Sequence, residues 1–237
     1  MLYTPSVAIA IFVILAVVGW FAIGTQVNVR RGDRVLAWLR QGLTIIGEKA
    51  TLRWMGSSVI ELKLPQANTP FRSAEVLVVF EPRDVAVLWW YHHLRGRRDL
   101  LIVRAQLCHT PAFELEALVP HGWSTRGVEQ KVQFRNWDPV TYEEGAGDNP
   151  EPKTADKAAR AGANPRLRVY TAGRTPGVTG LIREVSTPEC PIARLAVRRT
   201  EPHLEIHWRL VDAQAVPSKE FFERVRRLAE TLASRQS

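Results

Sequence analysis

The sequence predicts an α+β protein: one N-terminal transmembrane helix, then a cytoplasmic domain with a mostly antiparallel sheet and about three to four helices. Three observations predict it. Val7 to Gly24 is apolar throughout, several short segments further on alternate apolar and polar residues, and the chain closes on a helix with one apolar face.

The stretch VAIAIFVILAVVGWFAIG holds no charge, proline or amide side chain. At about 1.5 Å per residue it is just long enough to cross a hydrocarbon core of about 30 Å. A cleaved signal peptide would need a basic start and a shorter apolar centre. The opening MLYTPS has no Lys or Arg. A soluble core helix would not be apolar on every face for five turns. Lys and Arg near the ends of a span resist translocation, and here they all follow it: Arg30, Arg31, Arg34, Arg40, Lys49 and Arg53. The expected topology is a short outside N-terminus and a cytoplasmic body, with Trp20 at the inner interface.

Four parts follow from composition: 1–29 as the outside N-terminus and span, 30–137 as a first α+β segment, 138–165 as a flexible loop or linker, and 166–237 as a second α+β segment. The linker assignment rests on four prolines, three glycines and few sizeable apolar groups between Asp138 and Pro165, too little to bury against the entropy of ordering. The net charge of +8 divides as +6 in Arg30 to Trp137, −3 in the linker and +5 in Arg166 to Ser237. Basic segments beside a bilayer favour anionic headgroups. Nucleic acid is the competing but less favoured partner. Two cysteines, Cys108 and Cys190, make no disulfide framework and fit a reducing compartment.

In chain order, Asp33 is placed to cap a juxtamembrane helix over Arg34 to Ile46. Thr51 to Met55 and Val59 to Leu64 read as strands around Gly56. Ala74 to Phe80 is a continuous apolar run, expected as a central strand covered on both faces. Pro82 and Asp84 suit the start of a helix that Gly96 ends. Strands are then expected at Leu100 to Leu107, Phe113 to Val119 and Val128 to Phe134. Beyond the linker come a strand at Leu167 to Thr171 and a helix at Gly177 to Val185. A hairpin of Ile192 to Arg198 with Leu204 to Leu210 precedes a final helix capped by Ser218. A faint echo between Gly42 to Leu64 and Gly180 to Leu210 raises the question of two related halves.

No phosphate loop, dinucleotide fingerprint, nucleophile elbow or zinc-protease helix occurs, and no catalytic, cofactor-binding or metal-ligating residue is assigned. His203 and His207 alternate along a strand, about 13 Å apart, too far for one metal. Cys108 and His109 point to opposite faces of a strand. Glu114 and Glu116 share a face and read as an exposed acidic one. His92 and His93 fall at a helix C-terminus, where the dipole favours a cation.

The unusual element is the apolar helix of Trp89, Trp90 and Tyr91, which ends in Arg95, Arg97 and Arg98. It reads as an interfacial element or partner surface, with Trp20, Arg30, Arg31 and Arg34 on the same rim, or else as a helix packed in the domain core. The functional expectation is a non-catalytic accessory, scaffold or assembly subunit of a membrane complex. It would contact anionic lipid and a membrane protein partner or a second copy of itself. A membrane-tethered enzyme with a site built from scattered residues is the alternative, and a tethered nucleic-acid binder a further one.

Overall fold

The computed structural model describes residues 5–120, 122, 125, 127, 128, 130, 131, 137–140, 167–172 and 177–234. Its first element, α1, is one unbroken helix from Pro5 to Arg40, long and apolar enough to cross a membrane. The sequence suggests two helices here; the structure has one. Asp33, expected as a cap, is exposed in the helix interior, and Gly32 does not interrupt it. Gly32 instead gives room to Trp54, whose ring would lie 2.3 Å from any Cβ at that position. Over its last turns α1 buries Val35, Leu36 and Leu39, so the apolar helix runs directly into the core of the domain.

Among the described residues the sheet has nine strands: β1 (Thr51–Met55), β2 (Val59–Leu64), β3 (Phe71–Val79), β4 (Leu100–Leu107), β5 (Leu115–Leu118), β6 (Asp138–Val140), β7 (Arg168–Thr171), β8 (Ile192–Val197) and β9 (Leu204–Arg209). Their order is β1-β2-β3-β4-β9-β8-β5-β7-β6, every neighbour antiparallel. Gly56, at φ +66°, supplies the left-handed turn residue between β1 and β2. Four further helices are described: α2 (Ala86–Leu94), α3 (Val178–Val185), α4 (Leu210–Gln214) and α5 (Ser218–Ser234), with a 3₁₀ turn at Leu43–Ile45.

Register assigns the two faces. Leu62, Val76, Val103, Ile206, Leu195 and Ala117 lie side by side across six strands, and Ile60, Val78, Leu101 and Trp208 form the next row. All are buried in one core with the end of α1, α3 and α5. Each fully buried side chain of this size contributes roughly 1.5–3 kcal/mol. Trp208 packs edge-on to Phe221 of α5 at 4.7 Å, and its indole N–H donates to Val185 O. Trp38 of α1 meets Phe221 and Phe222 and donates to Val216 O, tying α1 to the start of α5.

Several expectations change. Val128, expected in a strand, is helical, as are Gly127, Gln130 and Lys131; 132–136 lie outside the described residues. Asp138 to Val140, placed in the linker, pairs with β7 instead; 141–166 lie outside the described residues. The expected helix after Pro82 starts at Ala86, because Asp84 accepts the Ser57 hydroxyl rather than serving the first turn. Ser218 begins α5, and its hydroxyl reaches Leu39 O of α1, not its own helix. The β3 run is split between the main core and a smaller cluster of Leu77, Leu100 and Ile102 on the other face. The two echoing hairpins are not equivalent in position: β1 and β2 form an edge, β8 and β9 the middle.

Candidate functional site

The segment from Phe80 to Asp99 leaves the sheet, passes alongside α1 as α2, and returns as β4. What fixes it there is a polar junction built on Asp99, Arg83, Glu81 and Asn28. Asp99, at the start of β4, accepts both terminal nitrogens of Arg83 at 2.9 and 3.1 Å, Arg31 at 2.8 Å and the Glu81 amide at 2.7 Å. Asn28, on the face of α1 turned to the domain, is fully buried. Its amide nitrogen donates to Glu81 O and its oxygen accepts from Arg83, both at 3.1 Å. A buried amide needs both partners, and this one has both.

The close approach depends on Gly24, where a Cβ would sit 2.0 Å from Arg83 O. Just above it, Trp20 donates to Arg83 O at 2.9 Å and its ring lies 6.0 Å from Trp89. On α2, Trp89 and His93 are one turn apart, and both reach Glu81 Oε2, at 2.8 and 2.9 Å. The side of α2 turned to the protein is therefore its polar one.

The expected interface residues divide accordingly. Trp20, Arg31 and Trp89 are drawn into the junction. Trp90 and Tyr91 face outward, with Arg95 over the Tyr91 ring at 4.3 Å. Arg98 donates to the carbonyls of His93 and Arg97 and so closes the C-terminal end of α2. Arg30 and Arg34 stay exposed on α1, Arg34 bonding Arg30 O at a long 3.4 Å. No residue of α2 is buried, so this helix does not pack in the domain core. Sequence reasoning missed Gly24, Asn28, Glu81, Arg83 and Asp99 as a group. Little local signal points to them: Asn28 is one of several polar residues, with Thr25 and Gln26, that follow the apolar run of α1.

The sheet face away from the main core carries a ladder of paired charges: Lys63 with Glu61 and Glu75, Arg104 with Glu75 and Glu205, and Arg194 and Arg198 each with Glu116 and Glu205. Glu116, expected on an exposed acidic face, is buried against Arg194 Nε at 2.5 Å. The cross-strand partner, unreadable locally, is what permits its burial. His203 Nδ1 accepts the Leu107 amide at 3.0 Å. His207 Nε2 lies 2.7 Å from Glu205, and its Nδ1 has no hydrogen-bond partner among the described residues. A groove of about 680 Å³ on this face is lined by Lys63, Ser73, Glu75, Arg104, Gln106 and Glu205, among others. Among the described residues no cluster of three His, Cys, Asp or Glu could hold a metal.

Burial pushes the Glu205 carboxyl up, but the His207 hydrogen bond and Arg194 outweigh it and hold it at about 2. Burial also pushes His207 down against the pull of Glu205, and raises Glu116 against Arg194. A carboxylate held low contributes stability that is lost as pH falls from its ordinary value near 4.5 toward 2. A histidine held low also loses stability on acidification, starting near its ordinary 6.5, because the unfolded chain takes the proton first. Glu116 works in the opposite sense and offsets part of the loss. The denaturation midpoint of the detergent-solubilised chain is therefore expected to fall between pH 7.5 and 5.5, and His207→Gln to flatten that part of the curve. A midpoint unchanged over this range contradicts the assignment.

Cys190 is buried, with burial pushing its thiol up to about 12, whereas Cys108 is exposed. Compared with known proteins, the chain matches no family model and no curated sequence.

Proposed function

We propose that this chain is a single-pass membrane protein, N-terminus outside and domain in the cytoplasm. Its role on this reading is that of a non-catalytic accessory or assembly subunit, contacting the bilayer and a membrane protein partner or a second copy. The observation that carries the proposal is the continuity of α1, which enters the domain core as the same helix that is long and apolar enough to cross a membrane. A tethered enzyme gains from a loose connection that lets it reach substrate. A rigid helical connection fixes height and orientation over the membrane instead, which is what an assembly subunit needs. The arginines that follow the apolar run support the cytoplasmic placement. Lipid is favoured over nucleic acid because the sheet's polar face is charge-balanced and offers a phosphate backbone no basic track to follow.

A cysteine introduced next to Ser237 tests the topology. It should be protected from an impermeant reagent in intact cells and labelled after lysis; labelling in intact cells contradicts the orientation. Gentle-detergent purification should recover one or more membrane proteins in fixed stoichiometry, or a self-associated species. A monomer with no companion argues against the subunit role.

One observation favours the enzyme reading. Glu205 lines the groove and pairs with His207, whose second ring nitrogen is left without a partner. A small molecule whose binding depends on His207 and Glu205, but not on the folding of the domain, would favour that reading.

A further inference from the structure

We propose that α2 lies in the boundary between headgroups and acyl chains of the leaflet where α1 leaves the bilayer, with the exposed Arg95 and Arg98 on anionic lipid phosphates. The proposal rests on α1 being the membrane span, and it commits to lipid as the occupant of the outer face of α2.

Amphipathicity gives the first argument. A helix on a soluble surface turns its apolar side inward. Here the inward side is polar, since Trp89 and His93 both end on the buried carboxylate of Glu81. The outward side is apolar: Val87 is 82% exposed, Leu94 72% and Trp90 64%, with Leu88 and Tyr91 beside them. Such an inverted helix needs an apolar medium outside it.

Depth is the second argument. Trp89 packs on Trp20, and the turn leading into α2 packs on Gly24, the last residue of the apolar run. Four residues of helix are about 6 Å, so α2 lies level with the final turn of the span. At that level lipid surrounds everything that protein does not cover, and the exposed apolar residues of α1 there include Phe21 and Ile23.

Charge is the third. Exposed Arg95 and Arg98 follow the C-terminal end of α2, the end that favours cations, and Tyr91 supports Arg95 beneath its guanidinium; Arg97 is half-buried, turned toward Glu81 and Asp99. Exposed Arg30 and Arg34 continue the basic rim along α1. An apolar helix with a basic rim matches the layering of an anionic leaflet.

The test uses the full chain with Cys108→Ser, reconstituted into nanodiscs with or without phosphatidylglycerol. Single cysteines at Phe12, Leu52, Val87 and Leu94 carry an environment-sensitive fluorophore, and the acyl chains are brominated. Emission at Val87 and Leu94 should fall to about half or less, as at Phe12, with Leu52 unaffected. Joint replacement of Arg95 and Arg98 by Glu should relieve the quenching at Val87 in anionic discs. Quenching at Phe12 with none at Val87 and Leu94 overturns the placement of α2 and leaves the span intact. Loss of quenching at Phe12 as well removes the span reading on which the proposal rests. If Val87 is shielded from a water-soluble quencher yet untouched by bromolipid, a protein chain covers the face, and lipid is the wrong occupant.

Discussion

Replacing Asp99 by alanine is expected to destabilise the domain by about 3–5 kcal/mol, the usual consequence of removing one partner from a buried ion pair. The magnitude comes from what is stranded. Arg83 loses both contacts of a two-pronged pair while its side chain stays largely buried, and the Glu81 amide loses its acceptor. Glu81 keeps Trp89 and His93 on its carboxylate, the Asn28 amide on its carbonyl and Arg83 at 3.5 Å, but loses the anchor of its own amide. Arg31→Ala provides the contrast. Its side chain is 40% exposed, and an exposed ion pair contributes only about 0–1 kcal/mol. Chemical denaturation of both variants in the same detergent checks the pair. Equal effects would mean that Asp99 acts through Arg31, and that the Arg83 contacts contribute little.

The second large effect is at Gly24. Leucine there places its Cβ 2.0 Å from Arg83 O and within 2.7 Å of Asp84 Cα. Both are backbone atoms, which cannot yield by rotating a side chain. Either α1 bends or residues 83 and 84 move off it, and overpacking of this kind costs about 1–3 kcal/mol. The Trp20 bond to Arg83 O and the Asn28 pair should break together, freeing α2. Gly19→Leu is the control, since nothing lies within 4 Å of a Cβ there. Trypsin should cleave the Gly24→Leu variant at Arg95, Arg97 and Arg98 much faster than the parent, and leave Gly19→Leu like the parent. Parent-like cleavage of the Gly24 variant would show that α2 does not depend on this approach.

These two sites also mark where the sequence was legible and where it was not. The apolar run of α1 and the alternation of β2 and β9 are local patterns, and all three form where those patterns place them. The end of α1 was not legible, because Asp33 has the chemistry of a cap and Gly32 that of a breaker. Only Trp54 and Ile60, 22 and 28 positions along the chain, show that Gly32 is a contact point. Glu116 was read as exposed because its partner, Arg194, lies 78 residues away. The junction failed to register for the same reason. Asn28 meets Glu81 across 53 positions and Arg31 meets Asp99 across 68, and no short-range spacing encodes such pairs. The aromatic helix was visible as unusual, but its inverted polarity depends on Glu81, which lies in a preceding turn with no periodicity of its own.

Through the unbroken α1 the apolar N-terminal helix and the domain form one body. A spin-label pair on the full chain in nanodiscs, one label at Phe12 in the span and one at Leu52 on β1, tests it most directly. An unbroken α1 predicts a single narrow distance distribution, broadened when Gly24 is replaced by leucine. A broad distribution in the parent protein would mean that the chain hinges between span and domain, and would contradict the account.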